Sequence, residues 1–120
     1  MSFRETLEHI CRSVDGALAA SVMGFDGIAV ETHEAEPLSD VDLTSAIVEY
    51  SSIFGQVRQA ASQLQAGEAS ELSIRTEKLL AVGRTLSPDY FVVVALKPLA
   101  NAGKARYVLR VDAGRITAEL

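Results

Sequence analysis

The sequence has no tryptophan, only one cysteine and three prolines, and fewer basic than acidic residues. A single thiol, Cys11, excludes an internal disulfide and fits a reducing compartment. The net charge of −5 disfavours binding to nucleic acid and to anionic membranes, because phosphate groups attract basic surfaces. No apolar run approaches the roughly 20 residues of a membrane span, and the N-terminus lacks a signal-peptide core. These absences predict a cytoplasmic protein.

A length of 120 residues is enough for one domain with its own core but too short for two ordinary ones. Hydrophobic residues make up 48% of the chain, which is near the globular average. We therefore expect a single domain over residues 1–120, with elements in the order αββαβββα. Ser2 and Glu5 form a capping-box pattern before the first helix, and Asp40 is expected to cap the second. Helices are predicted over about 3–15, over about 25 residues from Leu43, and from about Asn101 to the end. Strands are predicted at 18–23, 28–32, 71–77, 78–86 and 90–96.

The stretch VMGFDGIAVE, residues 22–31, places a glycine on each side of Phe25 and Asp26. A dinucleotide-binding loop needs a third glycine and a helix directly after it, and neither is present. Asp-Gly between two β-prone segments is typical of a hairpin, because glycine accepts the positive φ of tight turns. The stretch is therefore predicted to be a turn and not a phosphate-binding loop.

Patterns of catalytic or metal-ligating residues are lacking. Gly103-Lys104-Ala105 does not complete a Walker loop, and His9 and His33 have no partner at metal-ligand spacing. Cys11 neighbours the apolar side of the first helix, and Ser21 has no base nearby in the sequence. We therefore expect no catalytic residues, no metal and no cofactor, and a function exerted through the surface.

The longest predicted helix carries two adjacent apolar stripes. The first consists of Leu43, Ile47, Tyr50, Phe54, Val57, Ala61 and Leu64, and the second of Ala46, Ile53 and Ala60. One stripe is enough to pack a helix on a sheet. The second either lets the helix sink deeper into the core or contacts a second chain, and we favour the second chain.

Three stretches carry a resemblance to a known family: GALAASVMGFDGIAVET (16–32), SPDYFVVVALKP (87–98) and ANAGKARYVLR (100–110). They resemble the first hairpin, the last strand and the opening of the C-terminal helix of the roadblock (dynein light-chain) family, in its bacterial MglB-like branch. The order of elements agrees over nearly the whole chain.

The resemblance implies an α+β, profilin- and longin-like fold. In this fold a five-stranded antiparallel sheet has the long helix on one face and the terminal helices on the other. It also implies a homodimer, in which the strand at 72–76 pairs with its twin and the two long helices lie antiparallel. Proteins of this family bind small Ras-like GTPases, and some activate them without an arginine finger. The expected function is a non-catalytic regulator or adaptor.

The expected dimer interface comprises Glu49, Ile53, Phe54, Val57, Arg58, Leu72 and Ile74. Glu49 and Arg58 lie symmetrically about the midpoint of the long helix, so Glu49 of one chain is predicted to meet Arg58 of the other. The expected GTPase-contact set is the exposed side of the same helix, represented by Thr44, Glu49, Ser51, Ser52 and Gln59.

Two alternatives remain at this stage. A small-molecule sensor or enzyme would need a cavity lined by polar groups, whereas the strands present mainly valine, alanine and leucine. A structural assembly subunit would use the same dimer without a GTPase partner.

Overall fold

A computed structural model describes residues 2–37 and 41–120. The order αββαβββα is confirmed. The helices are α1 (Phe3–Ser13), α2 (Leu43–Gln63) and α3 (Ala102–Glu119). The strands are β1 (Ala17–Gly24), β2 (Ala29–Glu34), β3 (Glu71–Arg75), β4 (Leu80–Thr85) and β5 (Tyr90–Leu96). None of the helices within the described ranges is long and apolar enough to cross a membrane.

The five strands form one antiparallel sheet in the order β2-β1-β5-β4-β3. Strand β5 lies at the centre and is buried from Phe91 to Leu96, as expected for a strand without polar alternation. Strands β2 and β3 are the two edges. The α+β fold class predicted from the sequence is confirmed.

Helices cover both faces of the sheet and divide the core in two. One cluster joins α1 and α3 to the sheet through side chains such as Leu7, Ile10 and Leu109. The other joins α2 to the opposite face, where the rings of Tyr50, Phe54 and Phe91 pack with centroids 5.5–5.8 Å apart. The long helix therefore has one face of the sheet to itself.

The ends of α2 differ from the predicted ones. Asp42 is the N-cap, because its carboxylate accepts hydrogen bonds from the backbone NH of Thr44 at 3.1 Å and of Ser45 at 3.3 Å. The Ser45 hydroxyl also donates to this carboxylate, and these hydrogen bonds lower the pKa of Asp42. Asp40, the predicted cap, lies outside the described residues. The helix stops at Gln63 because Gln65 and Gly67 adopt positive φ.

Helix α1 also ends earlier than predicted. It stops at Ser13 because Val14 is extended and Gly16 has a φ of +87°. The predicted N-terminal cap is present, since the backbone NH of Glu5 donates to the Ser2 hydroxyl at 3.2 Å.

Candidate interaction surfaces on helix α2

The turn between β1 and β2 uses its own backbone donors internally. The backbone NH groups of Gly24, Phe25, Gly27 and Ile28 all donate to oxygen atoms of the protein, the last to the Asp26 carboxylate at 3.0 Å. Gly27 has a φ of +88°, as a tight hairpin requires. These four donors are already hydrogen-bonded within the protein and are therefore not available to a phosphate. The stretch is a hairpin turn, as predicted.

One flank of α2 faces the β3–β4 side of the sheet and borders a shallow apolar groove of about 120 Å³. We call it the apolar groove. Its lining consists of Ala46, Glu49, Tyr50, Ile53, Ile74, Thr76, Leu79 and Ala81. Ile53 remains 42% exposed, and Leu72 and Ile74 are only partly buried beneath the helix. The protomer alone thus leaves this apolar surface incompletely covered.

Tyr50 connects this flank to the edge of the sheet. Its hydroxyl donates to the backbone carbonyl of Leu72 in β3, and burial raises the pKa of Tyr50 well above its ordinary value. The ring lies against the backbone of Gly83, where an added Cβ would stand 2.9 Å from a ring carbon. Glycine inside a strand is a sequence signal for such a close approach, but the sequence did not identify the partner ring.

The opposite flank of α2 is polar and faces the β1–β2 turn. A larger open groove of about 1000 Å³ runs along it, which we call the polar groove. Its lining consists of Phe25, Ser51, Ser52, Gly55, Gln56, Arg58, Gln59, Ser62, Gln65, Gly67, Glu68 and Ala69. The sequence pattern did not reveal this groove, because its walls come from the hairpin turn, α2 and the loop after α2.

Arg58 holds the polar flank to two turns of the sheet. Its guanidinium carbon lies 3.8 Å from the centre of the Phe25 ring, and Nη2 donates to the carbonyl of Pro88 at 2.9 Å. Phe25 in turn packs edge-on against Phe54, with ring centroids 5.4 Å apart. Arg58 therefore has a structural role within the protomer.

The position of Arg58 does not fit its predicted contact with Glu49 of a second chain. The two residues are nine positions apart, or two and a half helical turns, which places them on opposite sides of α2. Glu49 borders the apolar groove, whereas Arg58 lines the polar one. When two α2 helices pack antiparallel, therefore, only one of these two residues can lie in the interface between them.

The other predicted interface residues divide into two groups. Ile53, Val57, Leu72 and Ile74 are exposed or only partly buried, so they remain accessible to a second chain. Phe54 is fully buried in the aromatic core of the protomer and has no surface to offer. The prediction of Phe54 as a contact residue is wrong, because its stripe is the one that packs on the sheet.

The predicted GTPase-contact set also needs one correction. Thr44, Glu49, Ser52 and Gln59 are exposed, as expected. Ser51 is only 2% exposed, and its hydroxyl donates to the carbonyl of Val48 at 2.6 Å. Ser51 therefore borders the polar groove but presents almost no surface to a partner.

A Ser–His–Asp contact occurs on the other face of the sheet. The Nε2 atom of His9 lies 3.5 Å from both the Ser13 hydroxyl and Oδ2 of Asp112. A catalytic relay uses both ring nitrogens of the histidine, and here both contacts involve the same one. The Ser13 hydroxyl donates at 2.7 Å to the backbone carbonyl of His9. This arrangement is a structural contact between α1 and α3 and not a triad.

Neither thiol nor metal chemistry is favoured by the described residues. Burial raises the pKa of Cys11 to about 11, which keeps the thiol protonated and unreactive near neutral pH. Residues 2–37 and 41–120 contain no group of three or more potential ligands that could hold a metal.

The two strand arginines have partners within the protein. Arg84 pairs with Glu71 at 3.0 Å, and Arg75 donates to the carbonyls of Pro98 and Ala100. Both join β3 or β4 to neighbouring segments.

Comparison with known proteins gives matches among solved structures. No protein-family model and no curated protein matches the chain. MglC from Myxococcus xanthus is 52% identical over 100% of both chains, with a TM-score of 0.72. A Roadblock/LC7 domain from Streptomyces avermitilis is 14% identical over 99% of this chain and 98% of that one, with a TM-score of 0.83. The gliding protein MglB from Thermus thermophilus is 18% identical over 97% and 88%, with a TM-score of 0.80.

Proposed function

Because the chain belongs to the roadblock family, in its MglB-like branch, we propose that it is a homodimeric, non-catalytic regulator of a small Ras-like GTPase. In this proposal the whole chain acts as one roadblock domain in the cytoplasm. The observation that carries it is the pair of unlike grooves on the two flanks of α2. The apolar groove takes the second copy, and the polar groove and the exposed side of α2 take the GTPase.

The incomplete cover of the apolar groove supports the dimer. Ile53 and Ile74 lie beside a groove whose lining is mostly apolar, and exposed apolar surface of this kind favours burial by another chain. A twin α2 laid antiparallel along Ile53 and Ala46 would fill the groove with matching side chains.

The neighbouring edge strand supports the same arrangement. Strand β3 pairs with β4 on one side only, so its other edge has unpaired backbone donors and acceptors. Pairing β3 with its twin would satisfy them and extend the sheet across both protomers. It would also place the two partly buried pairs of Leu72 and Ile74 beneath the two α2 helices.

The polar flank has the composition expected of a surface that binds a partner reversibly. Ser52, Gln59 and the groove around them are rich in hydroxyl and amide groups, which are typical of reversible interfaces. Thr44 extends this exposed side to the start of α2. The nearby Phe25 and Arg58 offer a partly exposed aromatic and cationic point at the end of the groove.

Regulation would proceed through binding and not through chemistry at this chain. A surface that recognises the GTP-bound or GDP-bound form shifts the population of GTPase states in proportion to its differential affinity. The T. thermophilus relative is named a gliding protein, and we extend this to a role in the motility of the source cell.

The first test is the oligomeric state. Sedimentation at micromolar concentration should give a dimer, and Ile53→Asp or Ile74→Asp should give a folded monomer. Ser52→Asp, on the polar flank of the same helix, is the matched control and should remain dimeric. A wild-type chain that sediments as a stable monomer would refute the dimer.

The second test is GTPase binding. Ras-like GTPases of the source organism, loaded with GDP or a non-hydrolysable GTP analogue, are titrated onto the dimer by calorimetry. We expect one GTPase to bind with a clear nucleotide preference, and Gln59→Arg to abolish binding while the dimer persists. Binding of no GTPase in either form would favour the structural assembly subunit over the regulator.

A further inference from the structure

Helix α3 presents apolar side chains on the side that faces away from the sheet. Tyr107 is 55% exposed and Val111, one turn later, is 54% exposed. Gly114 and Ala118 continue the row, and a Cβ added at Gly114 would meet no atom within 4 Å. We call Tyr107, Val111, Gly114 and Ala118 the outer stripe. Spacing of three and four residues places all of them along one line of the helix.

The outer stripe is not needed for packing within the protomer. The inward side of α3 already buries Ala105, Leu109 and Ile116 against the sheet. An apolar line on the solvent side therefore gives α3 two apolar faces, whereas a surface helix normally has one.

Basic residues surround the stripe. Helix α3 carries four of the 11 lysines and arginines of the chain and two of its 16 acidic residues. Arg106 is held by Glu71 at 3.2 Å, and Arg115 by Asp112 at 3.3 Å.

The other two cations of α3, Lys104 and Arg110, are exposed and form no ion pair within residues 2–37 and 41–120. On the helix they lie about 60° to either side of Tyr107. The stripe is thus framed by two cations that are available to a ligand.

We infer that the outer stripe, Lys104 and Arg110 form a docking surface for an acidic amphipathic helix of another protein. The apolar side of such a helix would pack along Tyr107 and Val111, and Gly114 would allow its backbone to approach closely. Carboxylates on its two flanks would pair with Lys104 and Arg110, which sets the orientation of the bound helix. This surface lies on the face of the sheet opposite to α2, so it is independent of the proposed GTPase site.

The charge distribution favours an acidic protein segment over a membrane. Anionic lipid surfaces are typically bound by about four to eight available cations, and α3 offers two. Helix α1, on the same face of the sheet, adds two carboxylates, Glu5 and Glu8, and two cations, Arg4 and Arg12, so it contributes no net positive charge that would attract an extended anionic surface. A second copy of α3 is also unsuitable, because a symmetric contact would bring cations against cations.

The test uses a synthetic helical peptide of about 18 residues, with leucine along one face and glutamate on both flanks. Fluorescence anisotropy should show binding to the full-length protein that weakens at high salt. Tyr107→Glu should raise the dissociation constant about tenfold or more, because it places a carboxylate in the apolar seam. Lys104→Glu combined with Arg110→Glu should have a similar effect.

Matched controls exclude general effects of charge. Ile28→Glu changes a 68% exposed apolar residue on the β1–β2 turn, and Arg4→Glu changes an exposed cation on α1; both should leave the affinity unchanged. Thermal unfolding by circular dichroism checks that each variant is folded. A peptide with lysine in place of glutamate should not bind.

Three results would overturn the inference. The first is no binding of the glutamate peptide at low salt. The second is binding that folded Tyr107→Glu and Lys104→Glu/Arg110→Glu variants retain. The third is flotation of the protein with phosphatidylglycerol vesicles that these variants abolish while the peptide stays unbound, which would assign the face to a lipid surface.

Discussion

The two flanks of α2 arise from one continuous helix and yet differ in almost every physical property. The flank towards β3 and β4 has alanine and isoleucine beside a small apolar groove, whereas the flank towards the β1–β2 turn has serine and glutamine beside a large open one. Apolar cover favours a lasting contact, and exposed polar groups favour a reversible one. One helix that packs alone on a sheet face thus presents two chemically different surfaces, one on each flank.

Each flank also has its own anchor to the sheet. Tyr50 holds the apolar flank to the edge strand through Leu72, and Arg58 holds the polar flank to the turns through Phe25 and Pro88. The first anchor is buried, and the second is half-exposed. Substitutions on the two flanks should therefore have separable effects.

The largest effect is expected for Ile53→Asp. A carboxylate on the apolar flank would have to lose its hydration in the proposed dimer, so the dimer dissociation constant should rise about 100-fold or more. Gln56→Asp, placed on the polar flank three residues later, should change it little. Sedimentation equilibrium measures both, and equal effects of the two variants would contradict the division into flanks.

Gly83→Ala should destabilise the protomer by about 1–3 kcal/mol, because the new methyl group overlaps the Tyr50 ring. Gly55→Ala on α2, where a Cβ meets nothing within 4 Å, should instead stabilise it by up to about 1 kcal/mol. Urea unfolding of both variants gives the two free energies. A neutral Gly83→Ala would show that the ring moves away at little cost.

Tyr50→Phe keeps the ring and removes only the hydrogen bond to Leu72. We expect a loss of about 1 kcal/mol in the free energy of unfolding, since the partly buried carbonyl of Leu72 loses its side-chain donor. Hydrogen exchange should also quicken in β3 more than in β2. Uniform quickening across the sheet would mean that the hydroxyl does not specifically anchor the edge strand.

Arg58→Met tests the anchor of the polar flank. Methionine keeps an apolar stem over Phe25 and removes the cation and the bond to Pro88, which should cost about 0.5–1 kcal/mol. Gln59→Met, on the adjacent exposed position, should be close to neutral. The dimer should persist in both variants, and dissociation of the Arg58→Met dimer would restore a role for Arg58 between chains.

An effect that is seen only in alkaline solution, and is absent near neutral pH, concerns Cys11, on the sheet face away from α2. Its pKa is about 11 in the folded protein and about 9 as an ordinary thiol, so the unfolded thiol ionises first as pH rises. Its contribution to stability is thus complete below pH 9 and is lost between about pH 9 and 11. Cys11→Ala should flatten this part of the stability profile, as measured by urea unfolding at stepped pH. If the free energy of unfolding depends on pH in the same way with and without Cys11, the thiol must be accessible to solvent in the folded protein.

Periodicity and turn chemistry were enough to predict all eight elements, whereas the α+β class came from the resemblance to the roadblock family. The β5 segment has no polar alternation and lies at the centre, and Asp26-Gly27 makes the turn that its chemistry requires. Such signals are local, so they are readable from consecutive residues. The ends of α1 and α2 were less predictable, because backbone conformation at Val14 and Gln65 decides them.

The predicted contact between Glu49 and Arg58 of two chains stays a prediction, and its weakness is that it considered position along the chain without position around the helix. Glu49 and Arg58 are equally far from the midpoint of α2 along the chain, but they lie on opposite sides of the helix. Ser51 has a polar side chain, but it lies on the side of α2 that the hairpin turn covers. The net charge was similarly uninformative about α3, since an average over the chain conceals a locally basic face. These features depend on which elements become neighbours, and the sequence does not state that directly.

In the proposed dimer, the hydrogen bond from the Tyr50 hydroxyl to the Leu72 carbonyl would connect the position of α2 to the edge strand at the interface. A ligand that binds the outer side of α2 and tilts the helix would also displace β3. This is the strand that would pair with β3 of the second copy. Ligand binding on the outer side of α2 and association of the two copies would then be thermodynamically coupled. Each would change the affinity of the other by the same factor.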